Sequence, residues 1–129
     1  MRQAGIAAAG CLHALDHHVE RLAEDHANAR RLADGLNGVR GIEVITKDPA
    51  TNMVFFDPAA TGLSPESFLA ELLSRGVRMG QVRGVIRAVT HLGVSQAEIE
   101  AAIVAIREIA QAPPGSFVSV ERDAPGQGY

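Results

Sequence analysis

At 129 residues and 47% apolar composition, the chain has the length of one domain and enough hydrophobic material to bury a sizeable core. A net charge of −3 and a pI near 5.9 argue against nucleic acid or an anionic membrane as the main partner. The N-terminus lacks the apolar core of a signal peptide, and no apolar run approaches the roughly 18 residues that a bilayer span needs, so the expected location is the cytoplasm.

The first third reads as helical. Ile6, Ala9, Leu12, Val19, Leu22, Ala29, Leu32 and Leu36 recur at spacings near three and four, while Glu20, Arg21, Glu24, Arg31 and Asp34 take the remaining face. This spacing predicts helices over 3–16 and 18–36. Asp16-His17-His18 lowers helix propensity and can supply an N-cap, so a bend or tight turn is expected between them. Asn37-Gly38 should end the second helix, because glycine takes the left-handed cap conformation without strain. Cys11, set among Ala and Leu, reads as a packing residue, and as the sole cysteine it has no partner for an internal disulfide.

From Gly41 the pattern shortens. Residues 42–46 and 52–56 read as strands around a Lys47-Asp48-Pro49-Ala50 turn, as a hairpin or neighbouring pair. Ser64-Pro65-Glu66 then supplies an N-cap, a first-turn proline and an acidic first turn. The helix it opens carries Phe68, Leu69, Leu72 and Leu73 on its buried stripe and stops at Arg75-Gly76. Strands over 77–82 and 85–89 flank Arg83-Gly84, the spacing of a two-residue hairpin. Ser95 and Glu98 form a capping-box signature for a helix to Gln111, with Ile99, Ala102, Ile103, Ile106 and Ile109 on its apolar face. Ala112-Pro113-Pro114-Gly115 ends that helix, and 112–129 is expected to be a flexible tail. The order predicts an α+β domain over 1–111: a helical segment at 1–37, then a sandwich at 41–111 with helices on one face of a small, mainly antiparallel sheet.

Chemistry-bearing residues are few. Arg87 stands within the apolar run Val85-Ile86-Arg87-Ala88-Val89-Thr90. A guanidinium there either points to water or holds an anion, since a desolvated and unpaired charge costs several kcal/mol. On the residues alone, an arginine on an exposed sheet face is the plainer reading. Of the 12 basic residues, 11 are Arg, so Lys47 is the one candidate for amine chemistry. His13 and His17, four apart with His18 and His26 nearby, could put two imidazoles on one ion, but two ligands make no site and no metal is expected.

Four ordered segments carry a resemblance: Met1-Arg2-Gln3-Ala4-Gly5, Val19 to Ala29, Thr51-Asn52-Met53-Val54-Phe55-Phe56, and Ile86-Arg87-Ala88-Val89-Thr90-His91-Leu92. Together they resemble the C-terminal part of low-specificity L-threonine aldolases, over about residues 1–110. The resemblance implies the small domain of a pyridoxal-phosphate lyase of the aspartate-aminotransferase fold type, which splits L-threonine or L-allo-threonine into glycine and acetaldehyde. It also implies a large domain carrying the Schiff-base lysine and most cofactor contacts, and a homo-oligomer. Residue by residue, Arg87 matches the arginine that anchors the substrate carboxylate, and Arg2 an arginine near the cofactor region and a subunit contact. Asn52 and His91 border the same sheet end as supporting residues. Where the family commonly has an aspartate after Thr-His-Leu, this chain has Gly93, which removes a capping carboxylate. Lys47 lies in a polar turn where the family has no cofactor lysine, so no covalently held pyridoxal phosphate and no catalysis are expected of the chain alone. The competing expectation is a non-catalytic module that dimerises or binds an amino acid through Arg87.

Overall fold

Local signals set most of the element ends in the computed structural model, which describes residues 4–113 and Ser116. Two helices come first, α1 (Ala4–His17) and α2 (Leu22–Leu36), joined by a turn at 18–21. The expected break is therefore present, but α2 starts four residues later than the spacing predicts, behind Arg21, whose side chain makes no capping bond. His17 and His18 do not cap it. At the other end the Asn37 N–H reaches the carbonyls of Ala33 and Asp34, and Gly38 follows at φ 80°, as the glycine signal predicts.

α1 departs most from expectation. Its Ile6, Leu12 and Leu15 are exposed, none of its residues is buried, and Cys11 lies on the surface rather than in packing. α1 and α2 therefore do not form a mutually buried amphipathic pair. The apolar residues of α1 are not matched by a polar side, so the helix presents no single face for the domain to cover.

The sheet has four antiparallel strands in the order β1 (Glu43–Val44), β2 (Met53–Asp57), β4 (Val85–Val89), β3 (Gly80–Val82). β1 is shorter than expected because Ile45 and Thr46 both direct their N–H groups at the Phe55 carbonyl, which breaks the regular ladder. β3 begins at Gly80 rather than Val77. The β3–β4 hairpin does turn on two residues, with Arg83 at φ 51° and Gly84 at φ 86°, the pair of positive values a type I′ turn requires.

Helix α3 (Pro65–Ser74) is capped by Ser64, whose hydroxyl accepts from the Ser67 N–H, and ends at Arg75-Gly76. Phe68 and Leu72 are buried on it, Leu69 partly, and Leu73 is exposed. Helix α4 (Gln96–Gln111) opens with a reciprocal capping box: Ser95 Oγ accepts from the Glu98 N–H, and Glu98 Oε2 accepts from the Ser95 N–H at 2.7 Å. Its five expected core residues are all buried, with Ala105 beside them. Helices α2, α3 and α4 cover one sheet face, closing a core around Val54, Phe56, Phe68, Ile86, Ile106 and Ile109. Phe56 and Phe68 meet edge to face with centroids 6.3 Å apart. α2 comes so close to α4 at Gly35 that a Cβ there would collide with Ile103. The expected tail falls largely outside the described residues.

Candidate functional site

Strand alternation decides where Arg87 points. In β4, Ile86 and Ala88 are buried against the helices, so Arg87 and Val89 stand on the opposite, open face. The register puts Arg87 level with Phe55 of β2 on one side and Gly80 of β3 on the other, and Val89 level with Met53. Half-buried Phe55 and Val85 and the exposed Met53 and Val89 thus surround one cationic head. Among the described residues no carboxylate forms an ion pair with it. The Arg87 side chain is exposed and open to an anion beside apolar neighbours, a setting suited to a bidentate carboxylate.

Asn52 and His91 are engaged in holding the end of that strand. Asn52 Nδ2 donates to the Thr90 carbonyl at 2.7 Å while the Thr90 N–H donates to the Asn52 carbonyl at 2.9 Å, extending the β2–β4 ladder by one side chain. His91 Nδ1 accepts the Gly93 N–H at 3.1 Å, and the Val94 N–H returns to the His91 carbonyl at 2.8 Å. Gly93 thus sits in a bonded turn without the aspartate.

A polar cluster that the sequence reading did not single out fastens α2 to the same place. Asp25 is buried, and its two carboxylate oxygens both accept from Arg21 Nη2 at 2.8 Å. The Asp25 carbonyl accepts the buried Thr90 hydroxyl at 2.7 Å, and Asn28 Nδ2 donates to the Val94 carbonyl at 3.2 Å. The only local clue was Arg21 and Asp25 four apart on a helix; the bonds to Thr90 and Val94 span more than sixty residues of chain. A cavity of about 390 Å³ opens beside this cluster, lined by Leu32, Met79, Ala88, Thr90, Val94 and Ile99 among others. Arg87 does not line it, so the open-face arginine and the cavity are separate features.

The other candidates stay apart. Lys47 is exposed in the loop between β1 and β2, between Thr46 and Asp48. His13 and His17 stack at 4.3 Å with His18 edge-on to His13 at 5.5 Å, yet no group of three or more potential ligands among the described residues is arranged to hold a metal. Arg2 lies outside the described residues. No helix among them is long and apolar enough to cross a membrane.

A family described as Beta-eliminating lyase matches residues 1–61. Low-specificity L-threonine aldolase 1 of Arabidopsis thaliana is 34% identical over 103 residues, 77% of this chain and 28% of that protein. The low specificity L-threonine aldolase of Escherichia coli K12 is 36% identical over 99 residues, with the same two shares. The chain is related to the low-specificity L-threonine aldolases. It spans a little over a quarter of the length of those aldolases, 28%. The Beta-eliminating lyase match includes α1, the helix that buries nothing here.

Proposed function

We propose that this chain serves as the small domain of a pyridoxal-phosphate-dependent aldolase, in which Arg87 binds the α-carboxylate of L-threonine or L-allo-threonine while the substrate is cleaved to glycine and acetaldehyde. The observation that carries the proposal is the guanidinium standing unpaired amid apolar neighbours on the open sheet face, in a chain related to threonine aldolases. The cofactor, when bound to the whole enzyme, supplies the electron sink for breaking the carbon–carbon bond. The chain's own part is to hold the carboxylate, and thereby the orientation of the scissile bond.

The lysine that binds the cofactor belongs, in this proposal, to a large domain outside this chain, and the chain alone does not catalyse. The exposed apolar residues of α1 support the same division, as a surface for that domain and for a further subunit of a cytoplasmic homo-oligomer. Arg2, two residues before α1 in the sequence, is assigned to the cofactor region or the subunit contact.

The test has two arms. The purified chain, incubated with pyridoxal phosphate and then treated with borohydride, should trap no stoichiometric aldimine, and in a separate assay without borohydride should release no glycine from L-threonine above the pyridoxal phosphate blank; glycine release by the chain alone refutes the division of labour. In a chimera where the chain replaces the matched stretch of the E. coli aldolase, glycine should form. There Arg87→Ala should raise KM about 30-fold, the loss of about 2 kcal/mol from a charged hydrogen-bonded pair. An unchanged KM removes Arg87 from the substrate site.

A further inference from the structure

Arg87 has a side chain facing it on only one flank. Across β2 stands Phe55, and across the edge strand β3 stands Gly80. A Cβ built on Gly80 would meet one neighbour within 4 Å, the Arg87 Nη2 at 3.9 Å. We propose that Gly80 is a positioning residue for Arg87: by leaving the edge strand bare, it lets the guanidinium lie across β3 and fixes the side from which a carboxylate reaches it. This inference rests on the reading of Arg87 as the carboxylate anchor.

Backbone geometry does not call for glycine at this place. Gly80 is not at positive φ, unlike Gly38, Gly41, Gly62, Gly76 and Gly84, and it lies in a strand, where glycine is a poor choice for stability. Within 4 Å, what a Cβ at this position would meet is the guanidinium alone. At 3.9 Å a single methyl makes ordinary van der Waals contact and can be accommodated, whereas the γ-carbons of a β-branched residue extend a further bond, about 1.5 Å, into the space over the strand. Phe55 occupies the other flank, so a displaced guanidinium loses its place over β3 and must lie against that ring or leave the sheet. On leaving, it would lift into solvent, where its rotamers are free and a planar carboxylate no longer meets a held fork.

The experiment uses the full chain labelled with 15N. The Arg87 Nε–Hε resonance is assigned by its absence in Arg87→Lys, its mobility is read from the heteronuclear NOE, and acetate and L-threonine are titrated as probes. In the parent and in Gly80→Ala the guanidinium should be restrained and should shift with either carboxylate. In Gly80→Val and Gly80→Thr the amide spectrum should stay native, because both residues favour strands. The guanidinium should then become mobile and carboxylate binding weaken about tenfold. Native folding with an equally restrained guanidinium and unchanged affinity in both branched variants overturns the inference. If the parent resonance ignores carboxylates while the branched variants still free it, the positioning role stands and the anchor role is what fails.

Discussion

Helices α1 and α2 are almost equal in length, 14 and 15 residues, yet α2 buries six side chains and α1 none. α1 is by composition the more apolar of the two. The difference lies in arrangement: apart from Asp25, which is paired with Arg21, α2 keeps its acidic and arginine side chains off the buried side, so contact with α4 and β2 satisfies its apolar stripe. α1 is built of Ala, Gly, Leu and Ile on every side and needs more surroundings than this domain offers. Apolar content therefore says that a segment wants to be covered, and periodicity says whether one face of one domain can do it.

The sharpest test sets the body of the domain against α1. Phe56 is fully buried and braced by Phe68, so Phe56→Ala should cost about 3–5 kcal/mol in urea unfolding. Leu12→Ala should change the same measurement by no more than about 0.5 kcal/mol. Comparable losses at both positions would mean that α1 is packed after all.

The joint between α2 and β4 comes next. Asp25→Ala leaves the partly buried Arg21 without its bidentate acceptor and should cost about 2 kcal/mol, while the Thr90 hydroxyl keeps its bond to the residue 25 carbonyl. Thr90→Val removes that second bond and the longer 3.4 Å bond from the same hydroxyl to the Asn52 carbonyl, and should cost about 1 kcal/mol. An Asp25→Ala chain as stable as the parent would show that the Arg21–Asp25 pair contributes nothing to the joint.

At α4 the effect is smaller and depends on pH. Ser95→Ala removes the cap hydroxyl and should cost about 1 kcal/mol near neutrality. The Glu98 carboxyl is held below its ordinary value of 4.5, chiefly by the Ser95 N–H and then by the Ser95 hydroxyl that donate to it, with His91 adding a favourable charge. A lowered folded value means that this contribution is fully present above the unfolded value and fades as pH falls through the folded one. Urea titrations at pH 7 and pH 3 should therefore show the gap between parent and Ser95→Ala narrowing in acid; a gap that widens contradicts the bonded carboxylate.

These sites differ in how far the sequence announces them. The Ser64 and Ser95 caps, the Gly38 and Gly76 stops and the Arg83-Gly84 turn are legible because each is satisfied within a few residues. The outward placement of Arg87 follows from alternation along one strand. The short β1 and the late start of β3 are not legible, since both depend on which carbonyl a neighbouring strand presents. Nor is the Asp25–Thr90 bond, because helix spacing records a side chain's face and not the distant backbone it will meet. Bare Gly80 is visible as a letter, but its meaning appears only when the register sets it against Arg87.

The smallest effect on folding is expected where the apolar surface is largest. Ile6, Leu12 and Leu15 are exposed by 83%, 61% and 65%, so replacing all three with Ser removes little from the native core. Serine also lowers helix propensity, so α1 itself should lose helicity by circular dichroism while the urea midpoint of the domain hardly moves. Association should respond differently from stability. Exposed apolar side chains in water gain by covering one another, at about 25 cal/mol per Å² removed from solvent, so the parent chain should self-associate in light scattering and the triple variant should run smaller. A parent that stays monomeric at high concentration would show that α1 is tolerated bare, and the case for a covering domain would then rest on the relatives alone.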